Sequence, residues 1–538
     1  ETIHVPPPTW CPECRLKRRI SGWGYRMLYK RKCDFTGEEV ISAIHPDAPF
    51  KAYKQDIWWS DKWDPKEYGK DYDPSRSFLE QYKELLRTVP WPVLFTEYTT
   101  MVNSEYCNGA STLRNCYLSF KSDNSENCAY TNVMSYMKES FDIAYAYEGE
   151  LCYDILNSQK CYQAYYSQNC NDCHDIWFSR DLIGCAYCFG CINLRNQKYH
   201  IFNQPYSKED YEKKLSEFDL GSRRGVEAIR KQANEFMLKY PRKAFYGRKN
   251  VDISGDYLTN CKNVHDSYMV TNGEDLRYCQ ALKIGPSSKS YDQTGFGMQS
   301  EWVYESTWVG LTVSNIKCGF WDYHAHDLEY CFGCHGSEYL FGCVGLRSGR
   351  YCILNKQYPK EEYFAKVEEI KKQMIAVPYK DSRGRTYSYG DMFPTEFLPW
   401  HYNETTAIEF LPLAKEEAIQ EGYTWRDPDP REYQDASAEV PDHIRDVSDT
   451  ILKEILKCEK CGKNYRLIQK EFEFYKRFNI PIPAKCPLCR DRERVSLLSP
   501  MKIFERTCMK CGINITTNYA PDRPEIVYCE QCYNAEVV

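Results

Sequence analysis

Displaced by 475 positions, the C-terminus of this 538-residue chain overlays its own N-terminus without a gap. Cys486-Pro487-Leu488-Cys489-Arg490 falls on Cys11-Pro12-Glu13-Cys14-Arg15, Cys508 on Cys33, and Gly512 on Gly37. Pro521-Asp522-Arg523-Pro524 falls on Pro46-Asp47-Ala48-Pro49, and Tyr528 on Tyr53. Two copies of one cysteine-rich module therefore bracket a long, different middle. Small modules with few apolar residues need a cross-link to fold, and thiols in Cys-x-x-Cys pairs supply one through a metal ion.

The C-terminal copy carries four such pairs. Cys458, Cys461, Cys486 and Cys489 are predicted to close one tetrahedral site, and Cys508, Cys511, Cys529 and Cys532 a second. Glycine after the second cysteine (Gly462, Gly512) suits the tight turn of such a knuckle. Interleaved pairing is the alternative, and the N-terminal copy decides against it. There Thr36, Lys54 and Ile57 replace the equivalents of Cys511, Cys529 and Cys532, leaving Cys33, while Cys11 and Cys14 remain. Ligands lost as a set belonged to one site. By the same alignment, the partners of Cys11 and Cys14 are expected upstream of Glu1, in a further Cys-x-x-Cys. A metal-free N-terminal half-site is the alternative. Zinc is the expected ion, and thiolate ligands point to a reducing, cytoplasmic setting.

Both modules are locally basic. Arg15, Lys17, Arg18, Arg19, Lys30, Arg31 and Lys32 crowd the first, and Arg490, Arg492 and Arg494 the second, diluted by Asp491 and Glu493. Such a set can contact RNA or DNA phosphates, or be a solvated face around a structural ion. The net charge of -6 argues against a general nucleic-acid coat. No run of about 18 apolar residues exists to span a membrane.

The middle reads as mainly β, a parallel β-solenoid in two blocks with helical caps, flanked by the related zinc-ribbon modules. Short aromatic bursts such as Asn115-Cys116-Tyr117-Leu118-Ser119-Phe120 alternate with polar positions and show no helical period. Cysteines at 107 and 116, at 152, 161 and 170, and at 334, 343 and 352 step by nine, which suggests stacked rungs with thiols inside. Phe189-Gly190-Cys191 through Tyr206 repeats as Phe341-Gly342-Cys343 through Tyr358, an offset of 152, and each copy runs into a charged helix. The expected division is a module at 1–66, a helical linker at 67–102, solenoid blocks at 103–206 and 247–358, a helical insert at 207–246, a cap and linker at 359–450, and tandem ribbons at 451–538. The helix near 223–239 is expected to bridge the blocks.

Cys170-x-x-Cys173-His174 and Cys331-x-x-Cys334-His335 match a haem-attachment pattern, but rung geometry alone generates such spacings here. His324 and His326 share a strand face and are a candidate metal pair, more simply read as polar surface. The Trp58, Trp59 and Trp63 cluster is expected to pack the first module onto the solenoid. No phosphate-loop, dinucleotide, hydrolase-elbow or zinc-protease motif is present.

The strings Cys11-Pro12-Glu13-Cys14-Arg15, Tyr29-Lys30-Arg31-Lys32-Cys33-Asp34, Trp58 through Pro65, and Tyr519-Ala520-Pro521-Asp522-Arg523-Pro524-Glu525 carry a resemblance. The chain resembles, over its whole length, a family of cysteine-rich zinc-ribbon and β-solenoid proteins common in candidate-phyla bacteria. The resemblance implies a Cys-x-x-Cys ahead of the first module and brings no activity with it. The favoured function is a non-catalytic binding or scaffold protein whose modules grip RNA, a ribonucleoprotein or a protein partner. A carbohydrate-binding or carbohydrate-active β-helix is the second reading, with Asp142, Asp154, Asp172, Asp175 and Asp181 as candidate carboxylates. A self-assembling structural protein is the third.

Overall fold

The computed structural model describes residues 1–427 and 434–537; residues 428–433, inside the predicted 359–450 segment, lie outside the described part. The middle is a parallel β-solenoid in two blocks, each laddered into a ten-stranded sheet. The rung is twelve residues, not nine. Ser111 pairs with Asp123, Tyr117 with Ala129, Ala129 with Phe141, Tyr162 with His174, and Ala186 with Lys198.

The backbone explains both numbers. Nearly every third residue of the first block turns a corner in the left-handed region, for example Asn115, Leu118, Lys121, Asn124 and Asn127 at φ of 44–55°. The residue after each corner points inward, so four side chains fill the lumen per rung. From Cys107 to Cys191 those positions hold only Cys, Ser, Thr, Ala, Gly, Met, Ile and Leu, with no charge. All ten cysteines in that span occupy them, and all are buried. A nine-residue step is thus three sides of a four-sided rung. It is seen directly in the thiols: Cys107 Sγ lies 3.5 Å from the Cys116 carbonyl, and Cys161 Sγ 3.4 Å from that of Cys170. Lumen serines cap the next rung, as Ser158 Oγ accepts from the Cys170 amide at 3.2 Å and Ser179 Oγ from the Cys191 amide at 3.2 Å.

The second block repeats the plan with two departures, the first being an opening rung of eleven residues, Val251 on Lys262, that shifts to twelve at Gly255 on Ser267. Successive partners Gly273, Ser287, Ser300 and Val313 are 14, 13 and 13 residues apart before the twelve-residue rung resumes at His326, Glu338 and Arg350. Both blocks end alike. Asn203 and Asn355 accept from the amides of Ile192 and Val344 at 2.9 and 2.8 Å, closing the last rung before helices Lys208–Leu215 and Lys360–Ala376. Ser207 caps the first of these, its Oγ accepting from the Asp210 amide at 3.0 Å. Helix Arg223–Met237 lies in sequence between the two blocks. Its Val226, Ile229, Ala233 and Met237 cover Phe178, Phe189 and Ile201 at the end of the first block.

The terminal modules dock crosswise. The first shares a core with the second block, where Trp58, Trp63 and Phe95 meet Phe320, Trp321 and Phe332. Thus the tryptophan cluster packs module onto solenoid, and the Trp58 indole donates to the Pro90 carbonyl at 2.9 Å. The C-terminal module shares a core with the first block through Phe141, Tyr153, Phe472 and Tyr475.

Candidate metal centres and the cleft they frame

Three knuckles have one backbone. The amides of Cys33, Cys458 and Cys508 donate to Glu38, Lys463 and Ile513 at 2.8–2.9 Å. Gly37, Gly462 and Gly512 donate back to the cysteine carbonyls at 2.9 Å, with φ of 74°, 70° and 77° that favour glycine. In two of the three, four thiols converge. Cys458, Cys461, Cys486 and Cys489 form one group and Cys508, Cys511, Cys529 and Cys532 another, with the sulfurs of each group within 4.8 Å of one another. Cys461 and Cys486 Sγ are 3.7 Å apart, and Cys511 and Cys529 Sγ 3.9 Å. Sulfurs about 2.3 Å from a tetrahedral ion stand about 3.8 Å apart, so each group could hold a metal ion. Burial works to raise the Cys458 and Cys508 thiols, but amides of the knuckle outweigh it and bring them to about 7 and about 6. The pairing is sequential.

At the N-terminus the third knuckle survives without its ligand set. Lys54 N–H donates to Cys33 Sγ at 3.2 Å, the same bond that Cys529 makes to Cys508 at 3.2 Å. Lys54 turns to Glu38 at 3.1 Å, and Ile57 is buried against the tryptophans. Cys11 and Cys14 are exposed, and among the described residues they join no metal-capable group.

The basic residues behave differently from a phosphate-binding face. Arg15, Arg18, Arg19, Arg31, Arg490 and Arg494 are buried. On helix Pro12–Ile20, Arg15 and Arg19 reach Asp292 at 2.9 and 2.7 Å, Arg19 also reaches Glu305 at 3.3 Å, and Arg18 pairs with Glu305. On helix Pro487–Val495, Arg490 reaches Asp142 at 3.1 Å and Glu471 at 3.3 Å. Arg494 reaches Asp142 at 3.0 Å and Asp154 at 2.8 Å. Arg15 and Arg19 align with Arg490 and Arg494 at the 475-residue offset. In each case the carboxylates sit one rung apart on the opposite block. Burial acts to raise the Asp154 carboxyl, but Arg494 and Arg230 outweigh it and hold it down at about 2. Of the remaining candidates, Lys17 pairs with Glu421 at 2.7 Å and Lys30 with Glu39 at 3.2 Å. Lys32 and Arg492 are exposed, with no ion pair among the described residues.

The other candidates are also placed. Cys170, Cys173, Cys331 and Cys334 are buried lumen thiols. His326 pairs with Asp327 at 2.8 Å and Glu338 at 3.0 Å, and among the described residues it forms no metal-capable group with His324. Asp142 and Asp154 hold arginines, Asp175 lies 2.9 Å from His174, and Asp181 is buried beside Tyr246. Only Asp172 and Asp181 of the five line the large cleft.

That cleft, 1340 Å³, opens between the two blocks. One wall is a column of the first block with one residue per rung: Ser111, Asp123, Ser135, Tyr147, Gln159 and Asn171. The facing wall is aromatic, with Phe296, Trp308, Trp321 and Tyr323 of the second block and Trp59 of the first module. His335 lies among them, its ring 4.6 Å from Trp321, 5.0 Å from Trp59 and 5.3 Å from Tyr323. Sequence reasoning missed this site, because a column twelve residues apart is invisible at a nine-residue spacing.

No family model matches the chain, and no curated protein matches it. Among solved structures, a crystal structure of a putative acetyltransferase from Desulfovibrio desulfuricans G20 aligns at 10% identity over 55% of this chain and 76% of that one. Its TM-score of 0.12 carries no argument about this protein. Among the described residues, no helix is long and apolar enough to cross a membrane.

Proposed function

We propose that this protein is a non-catalytic binding protein in which two related terminal modules, the C-terminal one stabilised by zinc, clamp two solenoids around a ligand cleft. One observation carries the reading: the duplicated helices each set two arginines, at equivalent positions, on carboxylates one rung apart in the opposite block. Breaking one partner of a buried ion pair leaves an uncompensated charge, so these pairs fix where each module can sit. Zinc suits all-thiolate tetrahedral sites closed to further ligands, which stabilise rather than catalyse. The binding element is then the cleft that the modules hold open, because clefts of this kind concentrate apolar contact and convergent polar groups. RNA gripped by the modules finds less support, since the arginines that would meet phosphate are buried.

The test is metal analysis with small-angle scattering. Two zinc ions per chain are expected. Stripping them with a chelator should release the C-terminal helix from the first block and enlarge the radius of gyration. Unchanged scattering from metal-free protein would sink the clamp.

A further inference from the structure

The two walls of the cleft differ in kind, and the difference has a chemical counterpart. On the first block, hydroxyl, carboxyl and amide side chains succeed one another every rung, about 4.8 Å apart, from Ser111 to Asn171, and the column then ends in Ile183 and Arg195. Across from them the second block and first module present partly exposed ring faces: Trp59, Phe296, Trp308 and Tyr323. The backbone makes room for these rings. A Cβ on Gly333 would stand 3.0 Å from the Trp321 ring, and one on Gly295 3.0 Å from the Trp308 indole nitrogen.

Several polar atoms beside this cleft have no partner. His335 is 8% exposed, and neither ring nitrogen makes a hydrogen bond. The Tyr147 hydroxyl and Asp123 Oδ1 are buried and unpartnered on the opposite wall. Buried polar groups in native proteins are nearly all satisfied, so a run of three beside one cleft calls for something that satisfies them. Burial, reinforced by His324 and Arg347, brings the His335 imidazole down to about 3, so it meets a ligand as a neutral donor and acceptor. The titratable and charged groups near it are His324, Arg347 and the Tyr323 phenol, and among the described residues no carboxylate pairs with the ring.

From these walls we infer that the cleft binds a saccharide chain. Its ring C–H faces lie on the Trp59–Tyr323–Trp308 side, and its hydroxyls meet the polar column and His335. This rests on the cleft reading above and goes further by naming the ligand. A pyranose has one face of C–H bonds and a rim of hydroxyls, which matches one aromatic and one polar wall. A nucleic acid would need a line of cations along the cleft. Here Arg19, Lys121, Arg195, Lys243, Arg248 and Lys283 share the cleft with Glu97, Asp123, Glu148, Asp172 and Asp181 rather than forming an unbroken line of cations, and Arg19 and Lys243 are already committed to Asp292 and Glu530.

The test is calorimetry and tryptophan fluorescence on the metal-loaded protein with xylohexaose, cellohexaose, hexagalacturonate and, as a comparator, r(U)8. Three variants accompany wild type. Asn171→Trp fills the cleft, Tyr147→Phe removes one hydroxyl, and His335→Phe keeps the ring packing without the nitrogens. At least one hexasaccharide is expected to bind, with the neutral and acidic probes separating a plain sugar from a uronate. Binding should be lost in Asn171→Trp and weakened about tenfold in Tyr147→Phe and His335→Phe at unchanged metal content. No Asn171→Trp-sensitive binding of any hexasaccharide at millimolar concentration overturns the inference. If r(U)8 alone shows such binding, the saccharide is wrong and the cleft stands. A probe that binds wild type and Asn171→Trp equally removes the cleft as the binding element.

Discussion

A left-handed corner at nearly every third residue makes asparagine and aspartate the natural corner residues, and several form ladders. Asn103 donates to Asn115 at 3.0 Å, Asn115 to Asn127 at 3.1 Å, and Asn127 to Glu139 at 2.6 Å. Asn115→Val places a β-branched residue at φ 52° and removes two of these bonds, so it should lower unfolding free energy by about 2 kcal/mol. Denaturant titration reads this, and an effect below a few tenths of a kcal/mol contradicts the corner argument. Asp322 fills a lumen position where its carboxylate accepts from Cys334 and Phe320 amides at 2.8 and 3.1 Å. Burial nevertheless pushes its carboxyl up to about 8. Between the ordinary carboxyl value near 4 and 8, the folded state holds a proton that the unfolded state has released. This group's contribution is therefore greatest in acid and falls as pH rises through that window. Asp322→Asn should flatten the melting temperature between pH 5 and 8 relative to wild type, and an unchanged slope assigns the pH dependence elsewhere. The thiols show how much was legible at this scale. Their spacing disclosed a solenoid with cysteine inside, but only two or three residues at a time, and the serines, isoleucines and alanines sharing the three-residue period carried the missing rung length.

The decisive elements are the two arginine-bearing helices. The alignment at 475 found both, and composition marked them as basic, yet direction was not readable. A helix paired with carboxylates one rung apart can be recognised only when the rung is known to be twelve residues, which makes Asp142 and Asp154 neighbours. Arg494 bridges that pair, so Arg494→Ala should cost about 3–5 kcal/mol, the usual loss when one partner of a buried ion pair is removed. Arg494→Lys should recover only part of it, since an ammonium cannot meet two carboxylates with a planar fork. Equal stability of Arg494→Ala and wild type in urea would remove the helix as a clamp. The depressed Asp154 carboxyl adds a pH signature: its contribution is complete above the ordinary carboxyl value and is lost as pH falls towards about 2. Acid should thus loosen this helix before the solenoid, which hydrogen exchange of Pro487–Val495 can follow.

At the scale of the whole molecule, duplication and crossing act together. Each module adds a short strand beside the segment that leads into one block, Ala52–Tyr53 on Trp91–Pro92 and Val527–Tyr528 on Arg242–Lys243, while its arginine helix reaches the other block. The N-terminal helix grips the second block and the C-terminal helix the first, and Arg26 of one module pairs with Asp491 of the other. Such an arrangement adds ion pairs to the apolar cluster in which Ala144, Tyr145 and Leu156 of the first block meet Tyr257, Tyr268 and Met269 of the second. It also explains why one metal centre could be lost. Around Cys33 the backbone is already held by the Lys54 amide, and Ile57 contributes apolar packing to the core that a metal cross-link would otherwise stabilise. The loss should then be reversible. Thr36→Cys, Lys54→Cys and Ile57→Cys together restore the ligand pattern of Cys508, Cys511, Cys529 and Cys532 on a matching backbone. The triple variant should bind one more zinc per chain than wild type, with cobalt substitution giving the absorption of an additional tetrahedral thiolate site. Because Ile57 is removed from the core, its melting temperature should drop below wild type in chelator and recover when metal is added. An unchanged metal count in a folded variant would show that the two knuckles share a sequence ancestry and hydrogen bonds but not a ligand geometry.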